Sequence, residues 1–121
     1  MFLPSRSYIV TGFFEQQPLQ RQLNNVEGNA VAGVAITHHF LKKLIEKNLK
    51  GCIVFTSSVS GYIPNPFATM YGATKAFVSQ FAASLAVEVG PLGACQVVTD
   101  LECSEEKVFS DRSVFPPSSR H

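Results

Sequence analysis

Across residues 29–50 the apolar side chains Val34, Leu41, Leu44, Ile45 and Leu49 recur at helical spacing. That is the period of a helix with one buried face. Lys42, Lys43, Glu46 and Lys47 fall between them as a wet face. The spacing predicts a long helix over 29–50, with Gly51 placed for a left-handed turn at its end. Cys52-Ile53-Val54-Phe55-Thr56 follows as a continuous apolar run, the pattern of a strand buried on both faces. Residues 57–69 read as a loop punctuated by Gly61, Pro64 and Pro66. A second helix is expected over 70–89. On it, Phe77, Phe81 and Leu85 form a core stripe, while Gly72, Ala76, Ser79, Ala83 and Ala86 make a face of small residues that lets another helix approach closely. Gly90-Pro91-Leu92-Gly93 ends it, and residues 94–99 have the make-up of a second strand.

Both ends are less regular. Residues 8–14 are apolar and β-branched, a strand by propensity alone. Residues 15–28 are polar and rich in Gln and Asn, with Pro18 placed to open a short helix. From residue 100 the pattern fails, and charges, serines and Pro116-Pro117 predict a disordered tail over 101–121. One folded unit is thus expected over 1–100. Its helix, strand, loop, helix, strand order favours an α/β layered fold with a parallel sheet. Sites in such sheets lie at the carboxyl ends of strands, which is where Ser57 and Ser58 stand.

Composition adds exclusions. With 121 residues, 45% apolar and 16% charged, the chain reads as one globular domain. A net charge of +1 gives no reason to expect nucleic acid or an anionic membrane as partner. No stretch approaches the roughly 20 apolar residues of a membrane span. Cys52, Cys95 and Cys103 are odd in number, and none stands at metal-ligand spacing from another. Cys52 reads as a buried thiol. With no signal peptide visible, an intracellular, cytoplasmic location is expected. His38 and His39 lack a carboxylate or cysteine at ligand spacing, and at least one reads as ordinary surface.

The candidate chemistry centres on Tyr71 and Lys75, four residues apart on one helix face. An ammonium held beside a phenol favours the phenolate, so such a pair can exchange a proton near neutral pH. Ser58 lies upstream at the end of the apolar run. Folding the loop back brings its hydroxyl beside the phenol, and two hydroxyls on one carbonyl oxygen polarise it. Asn29 has a plain reading as the N-cap of the first long helix.

Gly51-Cys52-Ile53-Val54-Phe55-Thr56-Ser57-Ser58, Gly61 and Tyr71-Gly72-Ala73-Thr74-Lys75-Ala76-Phe77 together resemble the short-chain dehydrogenase/reductase family. The resemblance runs over residues 29–91. It implies an incomplete doubly wound fold, a partial Rossmann-like parallel sheet with two long helices. It implies an oxidoreductase that moves a hydride between NAD(P)(H) and a small carbonyl or alcohol. Tyr71 would be the proton donor and Lys75 its companion on the nicotinamide ribose. Ser58 would orient the carbonyl, and Asn29 would hold a relay water. Tyr71-Gly72-Ala73-Thr74-Lys75-Ala76-Phe77 looks most like the branch of 3-oxoacyl and hydroxysteroid reductases.

The family's opening strand and glycine-rich pyrophosphate turn have no counterpart here, so a truncated chain carrying the catalytic half is expected. Pro4-Ser5-Arg6-Ser7 stands where the family has Asn-Asn-Ala-Gly, and Val98-Thr99-Asp100-Leu101 where it has a Pro-Gly turn. The family context also makes residues 8–14 a loop, against their propensity. The alternative function is an inactive fragment that pairs with a full-length relative through helices 29–50 and 70–89, the pair on which family dimers are built.

Overall fold

The computed structural model describes residues 9–93 and the backbone of residues 95–101. Its elements are helix α1 (Leu19–Val26), a π-helical turn (Glu27–Val31), helix α2 (Ala32–Glu46), strand β1 (Gly51–Ser57), helix α3 (Thr69–Val89) and strand β2 (Cys95–Leu101). Single 3-10 turns lie at Phe14–Gln16, Val59–Gly61 and Gly90–Leu92. The fold is α/β. Strands β1 and β2 run parallel in register from Gly51 opposite Cys95 to Ser57 opposite Leu101, and α3 connects them. β2 therefore continues two residues beyond the expected strand. The expected tail falls outside the described residues from position 102 on.

The first helical region departs from expectation. No helix begins at Asn29. A single helical run starts after Pro18, passes through the π-turn and continues into α2, with Val31 and Ala32 both right-handed. Pro18 does open a short helix, α1, as its fixed φ permits. The run escaped hydrophobic periodicity because its buried face is polar: Gln22, Asn25 and Asn29 are all buried. At the other end Asn48, not Gly51, takes the left-handed conformation, with φ 50°. The Asn48 N–H donates to the Ile45 carbonyl at 3.1 Å and the Leu49 N–H to the Leu44 carbonyl at 2.9 Å. These are the paired bonds of a Schellman ending. Gly51 opens β1 instead, where an added Cβ would stand 3.1 Å from a Leu44 methyl.

Strand β1 alternates rather than burying both faces: Ile53, Phe55 and Ser57 are buried, while Cys52, Val54 and Thr56 are half-buried. The buried side meets α3. Ile53, Phe55, Ala82 and Val89 form the core, with Leu41, Leu44, Val78, Phe81 and Leu85 packed against it. Each fully buried large aliphatic or aromatic side chain contributes about 1.5–3 kcal/mol. Phe55 meets Phe81 edge-on at 5.7 Å between centroids. Phe81 and Leu85 join the core as expected, but Phe77 is 45% exposed. Val78 and Ala82 occupy the inward side of α3, and Phe77 stacks flat on Phe81 at 6.0 Å instead. Lys42, Lys43 and Lys47 are solvated, with Lys42 and Glu46 3.8 Å apart on the surface, and His38 and His39 are both exposed. Among the described residues no helix is long and apolar enough to cross a membrane.

Candidate active site

The carboxyl end of β1 feeds directly into the turn that carries Ser58. The Ser58 side chain caps this turn, its Oγ accepting from the Ser60 N–H at 3.3 Å. A serine hydroxyl has one proton to give and two lone pairs, so this use as acceptor leaves its proton for another partner. The turn is pressed against α3. A Cβ on Gly61 would lie 2.8 Å from the Ala76 nitrogen and 2.9 Å from the Lys75 carbonyl carbon. A Cβ on Gly72 would lie 2.8 Å from the Ser60 oxygen. The small-residue face of α3 thus receives this turn at Gly72 and Ala76, where a second helix was expected. Ser57 completes the clasp. It is fully buried, donates to the Lys75 carbonyl at 3.1 Å and pairs with the Ser79 hydroxyl. Since Ser57 has spent its proton on Lys75, Ser79 is the donor within that pair.

Tyr71 and Lys75 stand one helical turn apart and face the strand end. The Lys75 Nζ donates to the Thr56 carbonyl at 3.2 Å and lies 5.6 Å from the centroid of the Tyr71 ring, within cation–π range. Lys75 is only 1% exposed. A buried ammonium is tolerated only with polar compensation, which the Thr56 carbonyl and the face of the phenol provide. The cation is therefore held at the carboxyl edge of the sheet rather than in solvent.

The polar face of the long helical run supplies the third part. Asn29 Nδ2 donates to Asn25 Oδ1 at 3.1 Å and reaches Thr74 Oγ1 at 3.5 Å. Thr74 Oγ1 in turn donates to the Tyr71 carbonyl at 2.8 Å. Asn29 lies inside the π-turn, so its N-cap alternative fails. π-turns inside α-helices are frequent at functional sites. On the open side, residues 9–13 lack strand structure. The Gly12 N–H donates to the Phe67 carbonyl at 2.8 Å, and Phe13 meets Phe67 edge-on at 5.0 Å. This pins the approach to α3 and holds Phe67 at φ 64°.

The fold thus brings Tyr71 to Lys75, links Asn29 to the Tyr71 backbone through Thr74, and fixes Ser58 on a turn clamped against Lys75. The sequence reading passed over Asn25, Thr74 and the Thr56 carbonyl. Asn25 and Asn29 were visible as an i, i+4 amide pair, but a polar stretch offered no apolar stripe to mark which side faces inward.

Residues 9–99 match the short chain dehydrogenase family. The chain belongs to that family. It is 34% identical, over 96 residues, to an uncharacterized short-chain type dehydrogenase/reductase, y4eK, of Sinorhizobium fredii, with 68% of this chain and 38% of that protein covered. It is 39% identical over 70 residues to a serine 3-dehydrogenase of Rhizobium radiobacter, covering 58% of this chain and 27% of the relative. The crystal structure of a bulky-bulky ketone specific alcohol dehydrogenase from Comamonas testosteroni superposes with a TM-score of 0.72 at 34% identity, covering 78% of this chain and 37% of that one. A short-chain dehydrogenase from Sphingobium yanoikuyae, solved in complex with NADPH, gives 0.72 at 27% identity, covering 83% and 39%. The chain therefore spans well under half the length of these short-chain dehydrogenases.

Proposed function

We propose that this chain supplies the nicotinamide-side half of an NAD(P)(H)-dependent oxidoreductase site acting on a small-molecule carbonyl or alcohol. The observation that carries the reading is the buried Lys75 ammonium, held by the Thr56 carbonyl at the strand end with the Tyr71 phenol beside it. This donor set fits a nicotinamide ribose, whose hydroxyls can accept hydrogen bonds from an ammonium and from a phenol. The residues that would hold the cofactor are Tyr71 and Lys75, and when bound it supplies or takes up the hydride. The NADPH-bound relative from Sphingobium yanoikuyae supports that cofactor class.

The remaining roles are those that the family resemblance implies. In the reductive direction Tyr71 gives its phenolic proton to the carbonyl oxygen as that oxygen becomes an alcohol. Ser58 donates its hydroxyl proton in a hydrogen bond to the same oxygen, so charge developing there is met by two donors. Lys75 keeps a positive charge next to the phenol while the proton leaves it. Asn29, tied to α3 through Thr74, supports a water that returns a proton to the Tyr71–Lys75 pair. A reducing cytoplasmic compartment suits the Cys52 thiol.

Tyr71→Phe tests the reading, because it keeps the ring and removes only the transferred proton. General acid–base groups contribute about 100- to 10,000-fold. NAD(P)H-dependent reduction of a ketone panel by the chain is expected to fall by that factor in the variant. Reduction that survives unchanged would assign the proton transfer elsewhere.

A second reading rests on the apolar groove between α2 and α3, lined by Val31, Val34, Met70, Ala73 and Phe77. Pairing with a relative across α2 and α3 would bury the exposed Phe77. Sedimentation of the chain mixed with a full-length relative tests it, since Phe77→Glu would abolish any mixed species.

A further inference from the structure

Asn25 has no part in the roles above, yet it is fully buried in a helix, α1, whose leucines Leu19 and Leu23 are exposed. Burying a carboxamide costs free energy unless its hydrogen bonds are met, so a buried Asn marks a specific partner. One partner is Asn29, whose Nδ2 donates to Asn25 Oδ1 at 3.1 Å. A planar carboxamide offers two protons on one side and an acceptor oxygen on the other. Once Asn25 Oδ1 takes one proton of Asn29 Nδ2, the nitrogen end of Asn29 must face Asn25, and the second proton faces Thr74 Oγ1 at 3.5 Å. The oxygen end of Asn29 is turned the other way. Thr74 passes the constraint on by donating to the Tyr71 carbonyl at 2.8 Å. The π-turn contributes as well. Its wider backbone carries Asn29 while Asn25, four residues earlier, stays within reach of the same side chain.

We propose that Asn25 is a positioning residue: its Oδ1 fixes which end of the Asn29 carboxamide faces α3, and through Thr74 it locks the register between the π-turn and the Tyr71 helix. The inference rests on the oxidoreductase reading for its purpose, but its geometry stands apart from that reading and is tested separately. Asn25 thus acts through Asn29 rather than on the reacting atoms.

The discriminating pair is Asn25→Asp, which keeps an acceptor at the same place, and Asn25→Leu, which keeps the volume and removes it. Nitrogen-15 spectra of the wild-type chain are expected to show the two Asn29 side-chain amide protons exchanging at least tenfold more slowly than those of the exposed Gln20. Asn25→Asp should retain that protection and Asn25→Leu should lose it. In NAD(P)H-dependent turnover, Asn25→Leu should lower kcat about tenfold with KM changed less than twofold, and Asn25→Asp should restore kcat. Fast exchange of the Asn29 amide in the wild type overturns the proposal even if the leucine variant does not fold, and so does equal protection in wild type and Asn25→Leu. Protected exchange that follows this pattern in a chain without turnover would leave the positioning intact and remove the oxidoreductase reading instead.

Discussion

The two halves of the site are built on opposite principles. Where β1 turns into α3, precision comes from leaving atoms out: Gly61 and Gly72 bring backbone against backbone, and Ser57 ties the strand end to the Lys75 carbonyl. Where the π-turn meets α3, it comes from adding polar groups to a buried helix face, with Gln22, Asn25 and Asn29 turned inward. The first kind of contact is rigid and unforgiving of volume. The second tolerates volume but depends on every donor finding an acceptor. The same chemical change should therefore have opposite signs in the two regions.

The largest effect on stability is expected from Gly61→Ala. Its new methyl meets backbone atoms at 2.8 and 2.9 Å, which cannot swing aside as a side-chain tip can. Overpacking of this kind costs about 1–3 kcal/mol. Urea denaturation followed by circular dichroism should show the loss, and an unchanged midpoint would mean that the turn is not clamped. Next comes Thr37→Val on α2. Thr37 is 1% exposed, and its Oγ1 has no hydrogen-bond partner among the described residues. Replacing that hydroxyl by a methyl should stabilise the chain by about 1 kcal/mol, since leaving a buried polar atom unsatisfied costs about 1–3 kcal/mol. A loss of stability would show that Thr37 is satisfied after all. The smallest effect is expected from Gly33→Ala in α2, where an added Cβ meets nothing within 4 Å. Helix propensity alone predicts a gain of about 0.5–1 kcal/mol. A gain at Gly33 beside a loss at Gly61, read in one denaturation series, would establish the contrast. Equal signs would dissolve it.

The same contrast explains how far the sequence could be read. The β1–turn–α3 unit was legible because its signals are local: a short apolar run, a glycine, then tyrosine and lysine four apart. Its limits were matters of facing. Phe77 lies on the right helix but on the outer side. The strand alternates because among the described residues only its α3 side is fully covered. The small face of α3 meets a turn, and only the glycine contacts reveal that. The α1–π–α2 run was half legible. Pro18 announced its beginning, yet polar residues on the buried side hid its continuity, and no periodicity rule anticipates one extra residue in a turn. Asn48 in place of Gly51 at the end of α2 is a smaller instance: both can adopt a left-handed conformation, and the Schellman bonds decided between them. Tyr71, Lys75, Ser58 and Asn29 were named from sequence alone, whereas Asn25 and Thr74 emerged only when three segments were seen side by side.

The account rests on Lys75 as a buried cation that belongs to a cofactor. NAD(P)H fluorescence titration of the chain and of Lys75→Met addresses this directly. A hydrogen bond to a charged group contributes about 1.5–3 kcal/mol, so saturable binding to the wild type should weaken by roughly 10- to 100-fold in the variant. No saturable binding to the wild type, or equal affinity in the two chains, would contradict the assignment of Lys75 and Tyr71 to a nicotinamide site.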